Sequence, residues 1–189
     1  PAIKIGSGEL TNLPLLERAA AAGKPIILST GMAYLSEVEY AVRNIQEHGA
    51  PPLALLHCVS NYPAAVEDVN LRAMLTLLSA FGLPVGYSDH TRGAAVALAA
   101  VALGACVLEK HFTLDRSSQG PDHRASLEPD ELEAMINAVR DVESALGDGR
   151  KRPSEAELDT LRVARKSVVS RVDIPLGTTI TADMLAIKR

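Results

Sequence analysis

The strongest constraint on the fold is a repeated alternation between short apolar segments and segments with helical periodicity. The apolar segments occupy residues 2–8, 25–31, 52–60, 83–89 and 105–112, and the helical ones occupy residues 12–23, 36–49, 69–82, 92–104 and 128–147. The apolar segments are nearly continuous in hydrophobic residues, which is typical of strands that are covered on both faces of a parallel sheet. The sequence therefore predicts an α/β fold built on a parallel sheet.

Polar side chains gather at the carboxyl end of every predicted strand. The groups are Lys4 with Ser7, Ser29 with Thr30, His57 with Ser60, Ser88 to His90, and Glu109 to His111. A doubly wound open sheet would concentrate such residues at one switch point, whereas a barrel brings all strand ends to one mouth. Because all five strands carry polar residues at this end, we predict a (β/α)8 TIM barrel.

The number of strands sets the predicted domain boundaries. A complete barrel needs eight strands, and five are present. Residues 1–149 are therefore predicted to be the last five βα units of a barrel, without its first three units. Residues 150–163 are polar and predict a linker, and residues 164–189 alternate in a β-like pattern around a Pro-Leu-Gly turn. We expect this last segment to be the truncated start of a second small domain.

Composition excludes several classes of protein. A hydrophobic content of 47% with a formal net charge of −4 is typical of a globular domain and argues against general affinity for nucleic acid. No apolar run reaches the roughly 20 residues of a membrane-spanning helix, so no membrane partner is predicted. Cys58 and Cys106 both lie in strand-like segments, which predicts two buried free thiols in a reducing cytoplasm.

His90 and His111 follow two consecutive predicted strands. Neighbouring parallel strands lie about 4.8 Å apart, so side chains from their ends can meet at one divalent metal ion. Imidazole is a common ligand for such ions. Histidines at strand ends are also often plain hydrogen-bonding residues, and the spacing alone leaves both interpretations open.

A lysine and four serines form a second group at the predicted mouth. Lys4 supplies one positive charge, and Ser7, Ser29, Ser60 and Ser88 supply short neutral donors. Such a set suits a phosphate group, and neighbouring glycines allow backbone amides to approach an anion. Each serine taken alone could equally serve a tight βα turn, whereas the whole set favours phosphate binding.

Two carboxylates follow predicted strands and are further candidates. Glu9 lies just after the first strand, where it could act as an acid or base, contact a sugar, or simply be solvated at a helix start. Asp122 follows a proline in the loop after the last strand. It could bind substrate hydroxyls or cap the next helix.

Several motifs in order resemble those of one enzyme family. They are KIGSGE (4–9), ILSTGM (27–32), LLHC (55–58), YSDHT (87–91), EKHFTLD (109–115) and GPDHRASLEPDEL (120–132). Together they resemble the sialic acid synthases, also called N-acetylneuraminate synthases. Residues 164–189 resemble the start of the C-terminal antifreeze-like (SAF) domain of that family. The resemblance covers essentially the whole chain.

The resemblance implies a condensation that depends on phosphoenolpyruvate and on a divalent metal, usually Mn2+ or Mg2+. C3 of phosphoenolpyruvate attacks the aldehyde of an open-chain N-acetylated hexosamine, typically N-acetylmannosamine, to give N-acetylneuraminate and phosphate. It further implies a cytoplasmic homodimer, because the antifreeze-like domain reaches the partner's site. A carboxylate near the metal would come from an earlier strand.

The resemblance also assigns roles to individual residues. His90 and His111 match the metal-binding histidines, and Glu9 matches the acidic residue near the reacting carbonyl. The phosphate contacts fall on Lys4, Ser29 and Ser88, with Ser7 close by, and the sugar contacts fall on Tyr62 and Asp122. Ser60 stands where some members carry Asn, which makes it the weakest match of the set.

Three outcomes remain open at the level of sequence. The chain could act on N-acetylmannosamine, or it could be a legionaminic acid synthase that uses a 2,4-diacetamido-trideoxy hexose. The pseudaminic acid branch is disfavoured because KIGSGE is intact. The chain could also be a non-catalytic binding barrel or an inactive fragment. The second possibility arises because the open edge of an incomplete barrel favours aggregation.

Overall fold

A computed structural model describes all residues from 1 to 189. The chain divides into two compact units, Pro1–Gly147 and Asp148–Arg189. No helix in the structure combines the length and the apolar character that a membrane span requires.

The first unit contains a five-stranded parallel sheet with helices between its strands. The strands are β1 (Ile3–Ile5), β2 (Ile26–Ser29), β3 (Leu53–Cys58), β4 (Val85–Asp89) and β5 (Leu108–Lys110). The helices are α1 (Leu13–Ala21), α2 (Leu35–Glu47), α3 (Ala73–Phe81), α4 (Ala95–Ala102) and α5 (Pro129–Leu146), and short 3-10 turns cover Ser7–Glu9, Val66–Asp68 and His123–Ala125. All five predicted strands and all five predicted helices are present.

The strand order distinguishes the two candidate architectures. The sheet runs β1-β2-β3-β4-β5, and every neighbouring pair is parallel. A doubly wound sheet would reverse its order at a switch point, and this sheet has no reversal. The predicted α/β class is confirmed, with the parallel half-barrel arrangement of consecutive βα units.

The core of the first unit lies between the sheet and its helices. Leu28 and Leu55 are inaccessible to solvent on the central strands, and Leu16 and Ile45 close over the sheet from α1 and α2. Their helices place apolar residues at a spacing of three and four positions, which directs one face inward. Burial of this face holds each helix on the strands that precede and follow it.

One close contact explains a glycine within β4. A Cβ atom at Gly86 would lie 2.3 Å from the carbonyl oxygen of Val107 and 2.7 Å from the Leu56 side chain. Only a residue without a side chain fits there, so β4 can approach the chain that leads into β5. This approach lets the start of β4 lie close to the segment that leads into β5.

The prediction for one of the two cysteines is wrong. Cys58 is buried at the end of β3 as predicted, but Cys106 is exposed. β5 begins only at Leu108, so Cys106 lies in the segment before the strand. The sheet ends at β5, and its residues are therefore only half-buried.

The second unit contains a helix and a two-stranded antiparallel sheet. α6 (Leu158–Ala164) begins within residues 150–163, the segment that was expected to be a polar linker. β6 (Ser167–Ser170) pairs with β7 (Leu185–Lys188), and a 3-10 turn at Ala182–Met184 precedes β7. The predicted β-rich character of residues 164–189 thus corresponds to one hairpin.

Candidate active site

A cavity of about 450 Å3 lies at the carboxyl ends of the five strands. It is lined by backbone and side chains from all five strands or the loops that follow them: Lys4, Gly6, Ser7, Gly8, Ser29, Met32, Cys58, Ser60, Tyr62, Ser88, His90, Glu109 and His111. Eight of the ten site residues predicted from the sequence are among them. Parallel strands all end on the same side of a sheet, and this polarity brings together residues that are far apart in the chain.

The two histidines face each other across the ends of β4 and β5. β4 ends at Asp89 and β5 at Lys110, so each histidine is the first residue after its strand. The imidazole centroids of His90 and His111 are 5.2 Å apart in an edge-to-face arrangement. The Tyr62 ring lies against both, at 4.2 Å from His90 and 5.4 Å from His111.

Hydrogen bonding fixes the orientation of the His90 ring. Its Nδ1 lies 2.7 Å from the carbonyl oxygen of Val59, and a carbonyl can only accept, so Nδ1 carries the proton. In the neutral ring, Nε2 then keeps its lone pair on the side of Ser88, whose hydroxyl is 3.5 Å away. Burial lowers the pKa of His90 below its ordinary value, which favours this neutral form.

The residues present fit a divalent metal in part. A neutral imidazole with a free Nε2 beside a second imidazole is a suitable pair of donors for a transition metal or Mn2+. The Asp122 carboxylate lies 3.8 Å from His111 Nδ1, where it can orient that ring. No group of three or more His, Cys, Asp or Glu side chains is placed to hold a metal ion. The structure therefore brings together two of the donors that such a site requires.

A charged network occupies the other side of the cavity. The Lys4 ammonium donates to Ser29 Oγ at 2.9 Å and to the Ile5 carbonyl at 3.2 Å, and it lies 3.4 Å from the Glu109 carboxylate. The Ser88 hydroxyl donates to the same carboxylate at 2.7 Å. The three residues that the family resemblance assigns to phosphate are thus connected directly or through Lys4 to one glutamate.

Ser7 and Gly31 form a tight wall of the cavity. The Ser7 hydroxyl oxygen accepts the backbone N–H of Gly31 at 2.9 Å and lies 3.0 Å from Cys58 Sγ. A Cβ atom at Gly31 would lie 2.3 Å from Ser60 Oγ and less than 3 Å from both Cys58 and Ser7. The glycine in the STG segment is therefore required by close approach of its neighbours.

Two predicted site residues lie outside the cavity lining. The exposed Glu9 carboxylate accepts a hydrogen bond from the Asn12 amide at 2.6 Å and so belongs to the start of α1. Asp122 is also exposed, and it approaches the site through the His111 ring. Asp122 does not cap the following turn through its side chain.

Glu109 lines the cavity, although the sequence predicts it only as one of the polar residues at the end of its strand and assigns it no role. It lies two positions before His111, and residues i and i+2 of a strand share one face. Ser88 and His90 have the same relation at the end of β4, so this periodicity was the signal that could have identified Glu109. Cys58 and Met32 also line the cavity without having been selected.

The chain forms a parallel half-barrel, and its histidines, lysine and serines lie at the ends of the strands. These features define the class of barrel proteins whose functional site lies at the C-terminal mouth of the barrel. The particular family follows from comparison with known proteins. The chain belongs to the NeuB family, whose model matches residues 1–151. This confirms the resemblance to the sialic acid synthases that was found in the sequence.

Curated relatives extend the match over the whole chain. An N,N'-diacetyllegionaminic acid synthase of Campylobacter jejuni is 52% identical over 188 residues, which cover 98% of this chain and 56% of that protein. The N-acetylneuraminate-9-phosphate synthase of Homo sapiens is 43% identical over 189 residues, which cover 100% of this chain and 52% of that protein. The chain therefore spans about half the length of the curated relatives it matches.

A solved structure matches the fold. The crystal structure of an N-acetylneuraminic acid (sialic acid) synthetase from Leptospira borgpetersenii superposes with a TM-score of 0.77 and 43% sequence identity. The match covers 84% of this chain and 55% of that chain. The half-barrel sheet of this chain is thus similar to part of the fold of a sialic acid synthetase.

Proposed function

We propose that this chain supplies the substrate site of a synthase that joins phosphoenolpyruvate to the aldehyde of an N-acetylated amino sugar. One observation carries the proposal: a histidine pair and a lysine–serine network line the same cavity in a NeuB-family chain. An anion site and a site for a reacting carbonyl are the two elements that this condensation needs.

The lysine–serine side of the cavity suits the phosphate of phosphoenolpyruvate. Lys4 offers a cation, and Ser29 and Ser88 offer hydroxyls on the two neighbouring sides. Ser7, Ser60 and the glycines at positions 6 and 8 line the same region and complete a set of short donors. Their small size leaves space for a compact, multiply charged ligand.

The histidine side suits the acceptor aldehyde. Tyr62 packs on His90 and Asp122 lies beside His111, so an aromatic face and a carboxylate flank the point where the carbonyl would bind. The carboxylate can accept hydrogen bonds from sugar hydroxyls, and the ring can pack on the apolar face of a sugar. The Glu9 carboxylate would contact the substrate only if its hydrogen bond with the Asn12 amide were broken.

The bond changes define what the side chains must do. A C–C bond forms between C3 of phosphoenolpyruvate and the aldehyde carbon, and the aldehyde oxygen takes up a proton. Water adds at C2, and the C2–O bond to phosphate breaks as the 2-keto group forms. The chain's own groups hold the phosphate, orient the aldehyde and exchange protons, while a divalent cation, Mn2+ or Mg2+, held by His90 and His111 would supply Lewis acidity at the aldehyde oxygen.

The comparisons favour a diacetamido acceptor over the one expected from the motifs. The legionaminic acid synthase is more similar to this chain than the human N-acetylneuraminate-9-phosphate synthase is, at 52% against 43% identity. We therefore propose a 2,4-diacetamido-trideoxy hexose as the acceptor. N-acetylmannosamine remains the second candidate, because the matched crystal structure is that of a sialic acid synthetase.

The same proposal includes the domain boundaries, the oligomeric state and the cellular location expected from the sequence. Residues 1–149 form the barrel part, 150–163 connect it to the rest, and 164–189 begin an antifreeze-like domain, which the β6–β7 hairpin supports. A homodimer in the cytoplasm is the expected setting. Exposed apolar side chains at the mouth, Met32 and Tyr34, are consistent with cover from a partner.

The decisive experiment is phosphate release from phosphoenolpyruvate by the protein in its full natural length, with Mn2+ present. The diacetamido sugar and N-acetylmannosamine are offered separately, and His111→Ala serves as the inactive control. Preference for the diacetamido sugar supports the proposal, and turnover with N-acetylmannosamine alone selects the second acceptor. Absence of phosphate release with both sugars would overturn it.

A further inference from the structure

Glu109 places a negative charge where an anionic substrate would have to bind. Its carboxylate is 3.4 Å from the Lys4 ammonium and 2.7 Å from the Ser88 hydroxyl, and it lines the same cavity as both. Lys4 and Ser88 are two of the residues that the proposed function assigns to phosphate. The glutamate therefore makes contacts that a bound phosphate would need.

The supply of hydrogen-bond donors makes this a competition. A serine hydroxyl has one proton to donate, and Ser88 donates it to Glu109. The three protons of the Lys4 ammonium face Ser29, the Ile5 carbonyl and Glu109. Of these groups, only the Glu109 carboxylate bears a charge, so it is the strongest of the acceptors with which an incoming phosphate competes.

Charge leads to the same conclusion. The charges of Lys4 and Glu109 are opposite and lie 3.4 Å apart within the cavity, so they offset each other. Phosphoenolpyruvate carries several negative charges, so it gains little net attraction from a neutral cavity and is repelled by the carboxylate. The network has a neutral, self-satisfied state in the absence of the anion.

We propose that Glu109 is a built-in competitor for the anion, which lowers the affinity of the cavity for phosphoenolpyruvate until additional positive charge enters the site. This inference rests on the proposed function, because it takes the Lys4 side of the cavity as the phosphate position. It assigns Glu109 a role in substrate affinity that is separate from holding the fold. It also makes phosphoenolpyruvate binding depend on a divalent cation.

The test is titration calorimetry of phosphoenolpyruvate into the wild-type protein and the Glu109→Gln variant, in EDTA and again with Mn2+. Glutamine keeps the shape and one acceptor for Ser88 but removes the charge. We expect Glu109→Gln to bind phosphoenolpyruvate about tenfold more tightly than the wild type in EDTA. With Mn2+ the difference should be smaller, because the cation already offsets the carboxylate.

Matched probes separate competition from a general effect on structure. Glu39→Gln makes the same chemical change on the exposed face of α2 and should leave binding unchanged. Pyruvate carries a single charge, so the Glu109→Gln substitution should raise its affinity less than it raises that of phosphoenolpyruvate. Glu109→Asp, which keeps the charge but has a shorter reach, should give an intermediate affinity and provides a second variant if Glu109→Gln fails to fold.

Three results would overturn the inference, and those that also contradict the proposed function can be told apart from those that do not. Equal or weaker binding of phosphoenolpyruvate by Glu109→Gln in EDTA, or an equal gain for pyruvate, contradicts the competitor role but leaves the proposed function intact. Absence of phosphoenolpyruvate binding to the wild type even with Mn2+ contradicts the proposed function, and the inference with it.

Discussion

The carboxylate of Asp89 lies 2.8 Å from the ammonium of Lys110, and the two side chains are only 1% and 4% exposed. Asp89 also accepts hydrogen bonds from the backbone and hydroxyl of Thr91. The two partners are paired in register at the last positions of β4 and β5, one residue before His90 and His111. The ion pair therefore ties the two strand ends together on the face opposite the cavity, since adjacent strand residues point to opposite faces.

Removing one partner of the Asp89–Lys110 pair should lower the stability of the protein strongly. Lys110→Met leaves the Asp89 charge buried without its counter-ion, and we expect a loss of about 3–5 kcal/mol in the free energy of unfolding. The free energy of unfolding is measured by urea denaturation. Arg140→Met removes a partner from the exposed pair with Glu143 and should cost at most about 1 kcal/mol. Equal effects of the two substitutions would show that the buried pair does not stabilise the strand ends.

Metal binding should depend on His90. Mn2+ at a large excess over its dissociation constant raises the stability of a protein that binds it in the folded state, by about 2.7 kcal/mol at a hundredfold excess. We expect Mn2+ to raise the melting temperature of the wild type and to leave that of His90→Ala unchanged. His48→Ala, at the end of α2, is the control and should keep the shift. An unchanged Mn2+ response in His90→Ala would contradict the assignment of this residue as a ligand.

Stability should fall on mild acidification because of the same residue. Burial holds the pKa of His90 below its ordinary value of about 6.5, so just below that pH the unfolded chain binds a proton that the folded chain does not. The stability that the neutral His90 contributes is fully present above the pKa of the unfolded state. It is lost as the pH falls through the pKa of His90 in the folded state. We expect the free energy of unfolding to drop less steeply between pH about 7 and 5 in His90→Gln than in the wild type. Parallel curves would contradict the pKa shift.

The cavity should tolerate no side chain at Gly31. An added methyl group would meet Ser60, Cys58 and Ser7 at less than 3 Å, so these groups would have to move into the space expected to bind the phosphate. We expect Gly31→Ala to raise the KM for phosphoenolpyruvate about tenfold or more. Ser79→Thr is the control, because it also adds one methyl group but lies exposed on α3, away from the cavity. Similar kinetic constants for the two variants would show that the Gly31 contact is not part of the site.

The sequence could predict the fold and much of the candidate site because both depend on local periodicity. Continuous apolar segments identify the five strands, and the polarity of a parallel sheet brings their carboxyl ends together whatever the length of the helices between them. His90 and His111 could be paired in advance for this reason, as could Lys4 with Ser29. Their neighbour Glu109 follows from the same two-residue period, although it was not selected.

Only the tertiary structure decided which contacts each side chain makes. Glu109 pairs with Lys4 because the sheet brings β1 and β5 to one cavity, a relation that no local pattern encodes. Glu9 turns to Asn12 although its neighbours Lys4 and Ser7 line the cavity, and Cys106 is exposed because β5 begins two residues later at the sheet edge. The sequence by itself determined the order and polarity of the strands, since these follow from hydrophobic spacing along the chain. The partners of the charged side chains depend on distances between residues remote in sequence, and these exist only after the sheet has formed.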